Sequence, residues 1–308
     1  MRLLAACEER LEAAVGGSVP EVARPAADTL GAGGKRVRPL LVFCSAPQDS
    51  VQSSAVLSAA AAVELVHMAT LVHDDLIDGA TMRRGRPTVA AADGPETAIQ
   101  AGDFLFARAF AELTRTGSAA AVQALAGAAL DLSMGEMDQN RAAHDLDLAE
   151  RDYLDRCRRK TAALFSCACR LGALVEGSSD EAAQRLAAFG QNVGMAFQIF
   201  DDILDLAGAP EVTGKRRGTD LMDGTVTLPV ILALREEPGL RPLVAAARGG
   251  GEIEALCDRL AAHVGLAQAR ERALGFVDDA RQALDGPLGG ADREALRLIA
   301  DSLVDRYS

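Results

Sequence analysis

The feature that most restricts what this chain can fold into is an acidic cluster written twice into apolar sequence. Val66 to Asp78 reads VHMATLVHDDLID and Val193 to Asp205 reads VGMAFQIFDDILD; the two align without gaps with six identities, the Val, the Met, the Ala and three Asp. Leu71, Val72, Leu76 and Ile77 surround the first set of carboxylates, and Ile199, Phe200, Ile203 and Leu204 the second. A half-buried carboxylate is costly unless it is paired, hydrogen-bonded or metal-bound, so two such clusters ask for a shared cation. On a helix, Asp74 and Asp78 fall one turn apart on one face with Asp75 about 100° round, and Asp201, Asp205 and Asp202 repeat the arrangement. Facing each other in a bundle, the two triads make a cage of oxygen ligands. That chemistry suits Mg²⁺, which keeps several waters and completes its shell with substrate phosphates.

The rest of the chain fits a helical frame. Its 308 residues are 49% hydrophobic and 25% charged, which excludes disordered, collagen-like and disulfide-scaffold classes. Aromatic residues make up only 4%, Trp is absent, and good helix formers dominate, so an all-α fold is expected. Short Gly, Pro and Ser breaks fall at Gly16 to Pro20, Leu30 to Pro39, Ser45 to Ser50, Arg83 to Thr88, Glu176 to Asp180 and Ala247 to Glu252. None is a long polar linker, so a single domain over 1–308 is expected, with Pro39 placed to open a helix. The stretch Ala207 to Pro229 reads as the one long loop, a place where function concentrates.

A formal net charge of −12 opposes a protein that coats nucleic acid or anionic lipid, but not phosphate ligands carried on metal ions. The six cysteines are scattered, which predicts reduced, packed thiols; Cys167 and Cys169, two apart on a helix, point to different faces and make no metal pair. The apolar start MRLLAAC is too short for a secretory signal, and no run of 18 apolar residues occurs. A cytoplasmic protein with no stable membrane insertion is expected.

Cations accompany the acids. GGKRVRP carries Lys35, Arg36 and Arg38; Arg83 and Arg84 follow the first triad; Lys160 and Thr161 open KTAALF; GKRRG carries Lys215, Arg216 and Arg217. Glycine-associated cations beside metal-binding acids form the pattern expected for two diphosphates. GGKRVRPLL, ELVHMATLVHDDLIDGATMRRGRPT, AGDFLFARAF, KTAALF, FQIFDDILD and GKRRGTDLMDGTVTLP, in this order, resemble the trans-isoprenyl diphosphate synthases of the polyprenyl synthetase family over nearly the whole chain.

The resemblance implies a helical bundle around a deep central cavity (the isoprenoid synthase-like fold), usually a homodimer. Such enzymes condense isopentenyl diphosphate with an allylic diphosphate, head to tail, into a linear trans-polyprenyl diphosphate. By carry-over, Asp74, Asp75, Asp78, Asp201, Asp202 and Asp205 hold three Mg²⁺ ions on the allylic diphosphate. Arg83, Lys160, Thr161, Gln198 and Lys215 contact that same diphosphate, with Lys160 and Lys215 counted with the aspartates as catalytic. Lys35, Arg38, His67 and Arg84 hold isopentenyl diphosphate; for His67, about 10 Å along the helix axis from Asp74, the role comes from the resemblance alone. Closure of the Ala207 to Pro229 loop is expected to exclude water from the reacting cation.

One position departs from the pattern. Many members read EGK before TLP, whereas this chain reads DGT, so Thr225 stands in place of a diphosphate-facing lysine; two outcomes are open, compensation by Arg216 or Arg217, or a lower affinity for the allylic substrate. In the family, bulky residues four and five positions before the first aspartate stop the product early. Here Thr70 and Ala69 are small, with Val66 a turn further down, which predicts geranylgeranyl or longer products and a floor set by residues such as Leu125, Leu130 or Met134. Two other readings compete. A terpenoid cyclase of the same fold conflicts with the second DDxxD and the scarcity of aromatics, and a non-catalytic synthase subunit conflicts with the retention of all six aspartates.

Overall fold

A computed structural model describes residues 2–16, 19–208, 216–247 and 252–306. The elements run α1 (Arg2–Val15), α2 (Pro20–Gly31), α3 (Val37–Ser45), α4 (Ser54–Ile77), a hairpin of β1 (Met82–Arg83) and β2 (Arg86–Pro87), α5 (Val89–Asp93), α6 (Pro95–Thr114) and α7 (Ala119–Arg141). There follow α8 (Glu150–Cys157), a π-helical turn (Arg158–Ala162), α9 (Ala163–Leu174), α10 (Asp180–Ala207), α11 (Thr219–Asp223) and α12 (Leu228–Glu236). A 3-10 turn (Pro238–Leu240), α13 (Arg241–Ala246), α14 (Ile253–Ala261), α15 (Val264–Ala283) and α16 (Arg293–Arg306) complete the chain. The fold is all-α as expected; among the described residues the two-residue hairpin is the exception. By internal contacts the chain groups into two compact units, residues 1–129, 167–187 and 286–296, and residues 130–166, 188–285 and 297–308.

In the first unit α4 is the central helix, with α1, α3 and α6 packed on it. Ala59 to Val63, Leu65, Val66, Met68 and Ala69 are each at most 2% exposed. A helix surrounded on all sides needs small and apolar residues all round rather than in one stripe, which is what the alanine run supplies. Ser53 starts it, its Oγ accepting the Val56 N–H at 3.1 Å. The helix is long and apolar enough to cross a bilayer, yet 72% of its apolar window is buried in protein, the mark of a core helix. It ends at Asp78, and the chain turns back at Arg84 (φ 51°) and Gly85 (φ 75°), two positive φ values in succession that build the tight hairpin turn.

The second unit gathers Leu206, Leu221, Val226, Val230, Leu234, Leu240, Val244, Leu256 and Leu260 into a core, with α12 packed against α15. Leu221 and Val226 come from the stretch read as a long loop. Where it is described, that stretch is ordered by α11 and by burial of these two side chains, so the expectation of one open loop from Ala207 to Pro229 is corrected. Two further differences concern helix limits. Pro39 is the third residue of α3, which begins at Val37 after Arg36 in a left-handed conformation (φ 49°), and an unforeseen break separates α7 from α8.

All six cysteines are free and buried. Burial pushes the Cys7, Cys157, Cys167 and Cys169 thiols up to about 12 and those of Cys44 and Cys257 up to about 11, so they behave as packed apolar groups.

Candidate active site

Both acidic triads sit at the C-terminal ends of long helices, α4 and α10. There the helix macrodipole presents its negative end, so each carboxylate is disfavoured unless a cation or a hydrogen-bond donor answers it. The two ends meet that demand differently.

In the first unit a cation answers. Asp75 is 5% exposed, and Arg83, delivered by β1 of the hairpin, places both Nε and Nη2 2.7 Å from its Oδ1. Asp74 is half-buried and Asp78 exposed at the helix end. One helical stretch back, Glu64 is a lone acid in the apolar run. It is 3% exposed and takes Arg36 Nη1 at 3.0 Å, while Arg36 Nε reaches Glu8 Oε1 at 2.5 Å. Arg36 is therefore a structural ion-pair residue.

The cations beside it form the cluster that the resemblance assigned to isopentenyl diphosphate. Burial pushes the Arg38 guanidinium down to about 10, against the pull of Glu64, so it remains charged at neutral pH. His67 is held well below 6.5 by burial and then by Arg38, Arg84, Arg83 and Arg36, which keeps it neutral. Arg84 is likewise lowered by burial and by the charges of Arg36 and Arg83. Like charges crowded in this way disfavour one another, a cost that a bound anion would relieve. Gly34 leaves the space: a Cβ there would stand 3.0 Å from Arg84 Nη1. Lys35 is exposed on the same loop. Asp75, Arg83 and Arg84 share a cavity of about 210 Å³ with Leu71 and Val72.

In the second unit neutral donors answer. Asp202 is 4% exposed; its Oδ2 accepts the Tyr153 hydroxyl at 2.6 Å and its Oδ1 the Gln198 amide at 2.7 Å. Thr161 Oγ1 donates to Gln198 Oε1 at 2.6 Å, so Thr161, Gln198, Asp202 and Tyr153 form one chain. Burial pushes the Asp202 carboxyl up to about 7, opposed by the Tyr153 and Gln198 hydrogen bonds. Asp205 accepts the backbone N–H groups of Thr219 and Asp220 on separate oxygens, both at 3.2 Å, and thereby starts α11. Asp201 is half-buried and lines a polar cavity of about 270 Å³ with Lys160, Thr161, Gln198, Asp202 and Thr225.

Lys160 and Thr161 lie in the π-helical turn, an element common at functional sites because its widened ring re-aims side chains. Close approach of two helices surrounds it: a Cβ at Gly135 of α7 would stand 2.5 Å from the Lys160 nitrogen, and one at Gly194 of α10 would stand 2.6 Å from the Ala162 Cα. Lys160 pairs with Glu136.

Sequence reasoning missed Tyr153, Glu136 and Arg156 in this region. Only Glu64, an acid isolated in an apolar helix, carried a signal of its own partner. Lys215 lies outside the described residues. Of the expected substitutes for a lysine at 225, Arg216 is exposed and Arg217 is spoken for: its Nε donates to the Leu206 carbonyl at 2.8 Å and its Nη1 pairs with Asp258 at 2.8 Å. Of the chain-length positions, Val66 and Ala69 are fully buried and Thr70 half-buried; Leu125 is fully buried, whereas Leu130 and Met134 are 61% and 37% exposed.

The donor set at both helix ends is all oxygen, as hard divalent cations require. Among the described residues no three acidic, His or Cys side chains converge closely enough to hold an ion alone. The carboxylates thus fit ions that draw further ligands from water and from a diphosphate.

A helical chain with two acid-tipped helices and separate cation clusters defines a diphosphate-handling enzyme, and comparison with known proteins makes the class definite. The polyprenyl synthetase family profile matches residues 19–256, and the chain belongs to that family. It is 40% identical over 301 residues to heptaprenyl diphosphate synthase component 2 of Geobacillus stearothermophilus, covering 96% of this chain and 93% of the relative. Among solved structures, heptaprenyl diphosphate synthase from Staphylococcus aureus superimposes with a TM-score of 0.92 at 29% identity, over 100% of this chain and 98% of that one. A polyprenyl synthase from Caulobacter crescentus, complexed with calcium and isoprenyl diphosphate, gives 0.88 at 34% identity, over 100% and 95%. The protein is a prenyltransferase that condenses isopentenyl diphosphate with an allylic diphosphate.

Proposed function

We propose that this chain makes a linear polyprenyl diphosphate of geranylgeranyl length or longer, with Mg²⁺ as its metal and three ions bound when the allylic diphosphate is in place. The single observation that carries the reading is the pair of acid-tipped helices, each beside its own phosphate-directed cations. The calcium and isoprenyl diphosphate of the Caulobacter relative support a divalent metal, and the heptaprenyl relatives support a long product. The family match spans residues of both compact units, which supports reading 1–308 as one polyprenyl synthetase domain.

In this reading Asp74, Asp75, Asp78, Asp201, Asp202 and Asp205 hold the ions. Arg83, Lys160, Thr161, Gln198 and Lys215 hold the allylic diphosphate, Lys160 and Lys215 acting on the leaving group. Lys35, Arg38, His67 and Arg84 hold isopentenyl diphosphate. When bound, the metals supply electrostatic stabilisation of negative charge on the leaving diphosphate. The chain adds oriented groups at the same place: the Thr161 hydroxyl fixes the Gln198 amide, which keeps one N–H beyond that given to Asp202, and the π turn carries Lys160. His67, neutral among arginines, is a hydrogen-bond partner rather than a further charge. Among the described residues none stands as a dedicated base, and in this reading the departing pyrophosphate takes the proton.

The protein works in the cytoplasm as a homodimer. A second reading, favoured by the relative named component 2, is that activity needs a different partner chain. Purified chain incubated with isopentenyl diphosphate and farnesyl diphosphate, with Mg²⁺ or with EDTA, tests the proposal. Expected are products longer than farnesyl with Mg²⁺ and none with EDTA. Release of nothing beyond farnesyl sinks the length assignment, and activity in EDTA sinks the metal. Sedimentation of the same active sample reports the dimer, while inactivity of the pure chain favours the second reading. Replacing Ala69 and Thr70 by Phe shortens the product if those positions bound the growing chain.

A further inference from the structure

Arg156, in the last turn of α8, is only 5% exposed, although its side chain carries a permanent charge. One end of its guanidinium is fixed: Nη2 donates to the Val226 carbonyl at 2.8 Å, and the group lies over the Tyr153 ring, 5.3 Å from its centroid. The other end is not, for Nη1 is buried and makes no hydrogen bond. A buried donor without an acceptor, on a buried cation, is among the more costly features a fold can keep. Arg156 lines the same polar cavity as Lys160, Thr161, Gln198, Asp201 and Thr225. The carbonyl that holds it belongs to the residue after Thr225, so the guanidinium is anchored beside a neutral wall position.

We propose that Arg156 is a binding residue for the allylic diphosphate, its Nη1 donating to a phosphate oxygen and supplying the positive charge that neutral Thr225 does not. The inference rests on the proposed reading of this cavity as the allylic diphosphate site. It replaces Arg216 and Arg217 as the source of that charge, since Arg217 is committed to Asp258 and Leu206 and Arg216 is exposed. A charge-assisted hydrogen bond from a preset guanidinium gains more from an anion than a mobile surface lysine does.

The test compares wild type, Arg156→Met, Arg156→Lys and the double variant Arg156→Met with Thr225→Lys. Binding of inorganic pyrophosphate with Mg²⁺ is measured by calorimetry, and KM is measured separately for each substrate. Arg156→Met is expected to weaken pyrophosphate and raise the allylic KM by roughly tenfold or more, the size of one charged hydrogen bond, with the KM for isopentenyl diphosphate unchanged. The double variant recovers most of the loss, because the lysine returns a cation to the same wall. Arg156→Lys, which keeps the charge without the fork, falls between.

Unchanged pyrophosphate affinity in Arg156→Met overturns the proposal. So does a parallel rise in both KM values with a lowered melting temperature and no rescue by Thr225→Lys, which marks a purely structural arginine. If Arg156→Met fails to fold, wild-type pyrophosphate affinity in Arg156→Lys and in Thr225→Lys, with no gain from the added lysine, overturns it equally. Pyrophosphate binding without any condensation by the wild type marks failure of the reading of the chain as active without a partner, and leaves the calorimetric comparison to decide the role of Arg156.

Discussion

The ends of α4 and α10 carry the same D-D-x-x-D pattern on the same helical geometry, and yet their middle aspartates live in opposite environments. Asp75 is matched by a cation that remains 36% exposed on a hairpin, whereas Asp202 is enclosed and matched by a phenol and an amide. A charged partner of this kind can swing away to meet an anionic ligand. A hydrogen-bonded partner in a packed wall cannot, so it holds the carboxylate in one orientation. The first end is held by a partly exposed charge and the second by enclosed hydrogen-bond donors. Asp74 and Asp201, the first member of each triad, are both half-buried.

Four measurements break or sharpen that contrast. The largest effect is expected beneath the first end: Arg36→Ala leaves Glu64 buried without its ion-pair partner and costs about 3 to 5 kcal/mol in urea unfolding. A loss below 1 kcal/mol would show that Glu64 is held otherwise. Next, Asp74→Asn and Asp201→Asn each lower kcat/KM by about 10² to 10³ with unchanged melting temperature, as removal of charge-stabilising groups does. Equal damage from Arg83→Gln and Tyr153→Phe would erase the distinction drawn here. Instead, Tyr153→Phe is expected to lose about 1 to 3 kcal/mol of stability by leaving an Asp202 oxygen unsatisfied. Arg83→Gln loses about 1 kcal/mol or less, its partner being partly solvated, and raises the allylic KM.

The last effect is a pH dependence. His67 is held well below its ordinary value of 6.5, so above that pH it is neutral in both folded and unfolded chains and its contribution is fully present. Below it the unfolded chain binds a proton that the native chain refuses, and stability falls with falling pH by at most about 1.4 kcal/mol per unit. Urea midpoints at pH 7.5, 6.5 and 5.5 measure the slope. His67→Gln is expected to flatten it, and an unchanged slope would assign the effect to another group.

Much of the candidate site was legible in the sequence. Carboxylates at i and i+4 in apolar sequence announce a helix with a charged tip, and GGKRVRP and RRGRPT announce cations on turns, because both signals are local in the chain. The resemblance of the ordered motifs adds expected roles that spacing alone does not, such as that of His67. What escaped notice has a common cause. Tyr153 meets Asp202 across 49 positions of sequence, Arg156 meets Val226 across 70, and Lys160 meets Glu136 across 24, and none of these residues is unusual where it stands. The π turn was invisible for a related reason, since RRKTA has no helix-breaking residue and its widened ring accompanies the close approach of α7 and α10 through Gly135 and Gly194.

By itself the amino-acid sequence determined that this chain is helical, that two helices end in matched acid triads, and that acids in such apolar surroundings need partners. These follow from interactions within a turn or two of helix, where neighbours in sequence are neighbours in space. Which carboxylate meets a cation and which meets neutral donors, which arginine is bound into a buried ion pair, and where an enclosed guanidinium keeps one nitrogen without an acceptor were decided only by tertiary structure. Partner choice depends on desolvation and on contacts between distant segments, and neither quantity exists until the helices have packed.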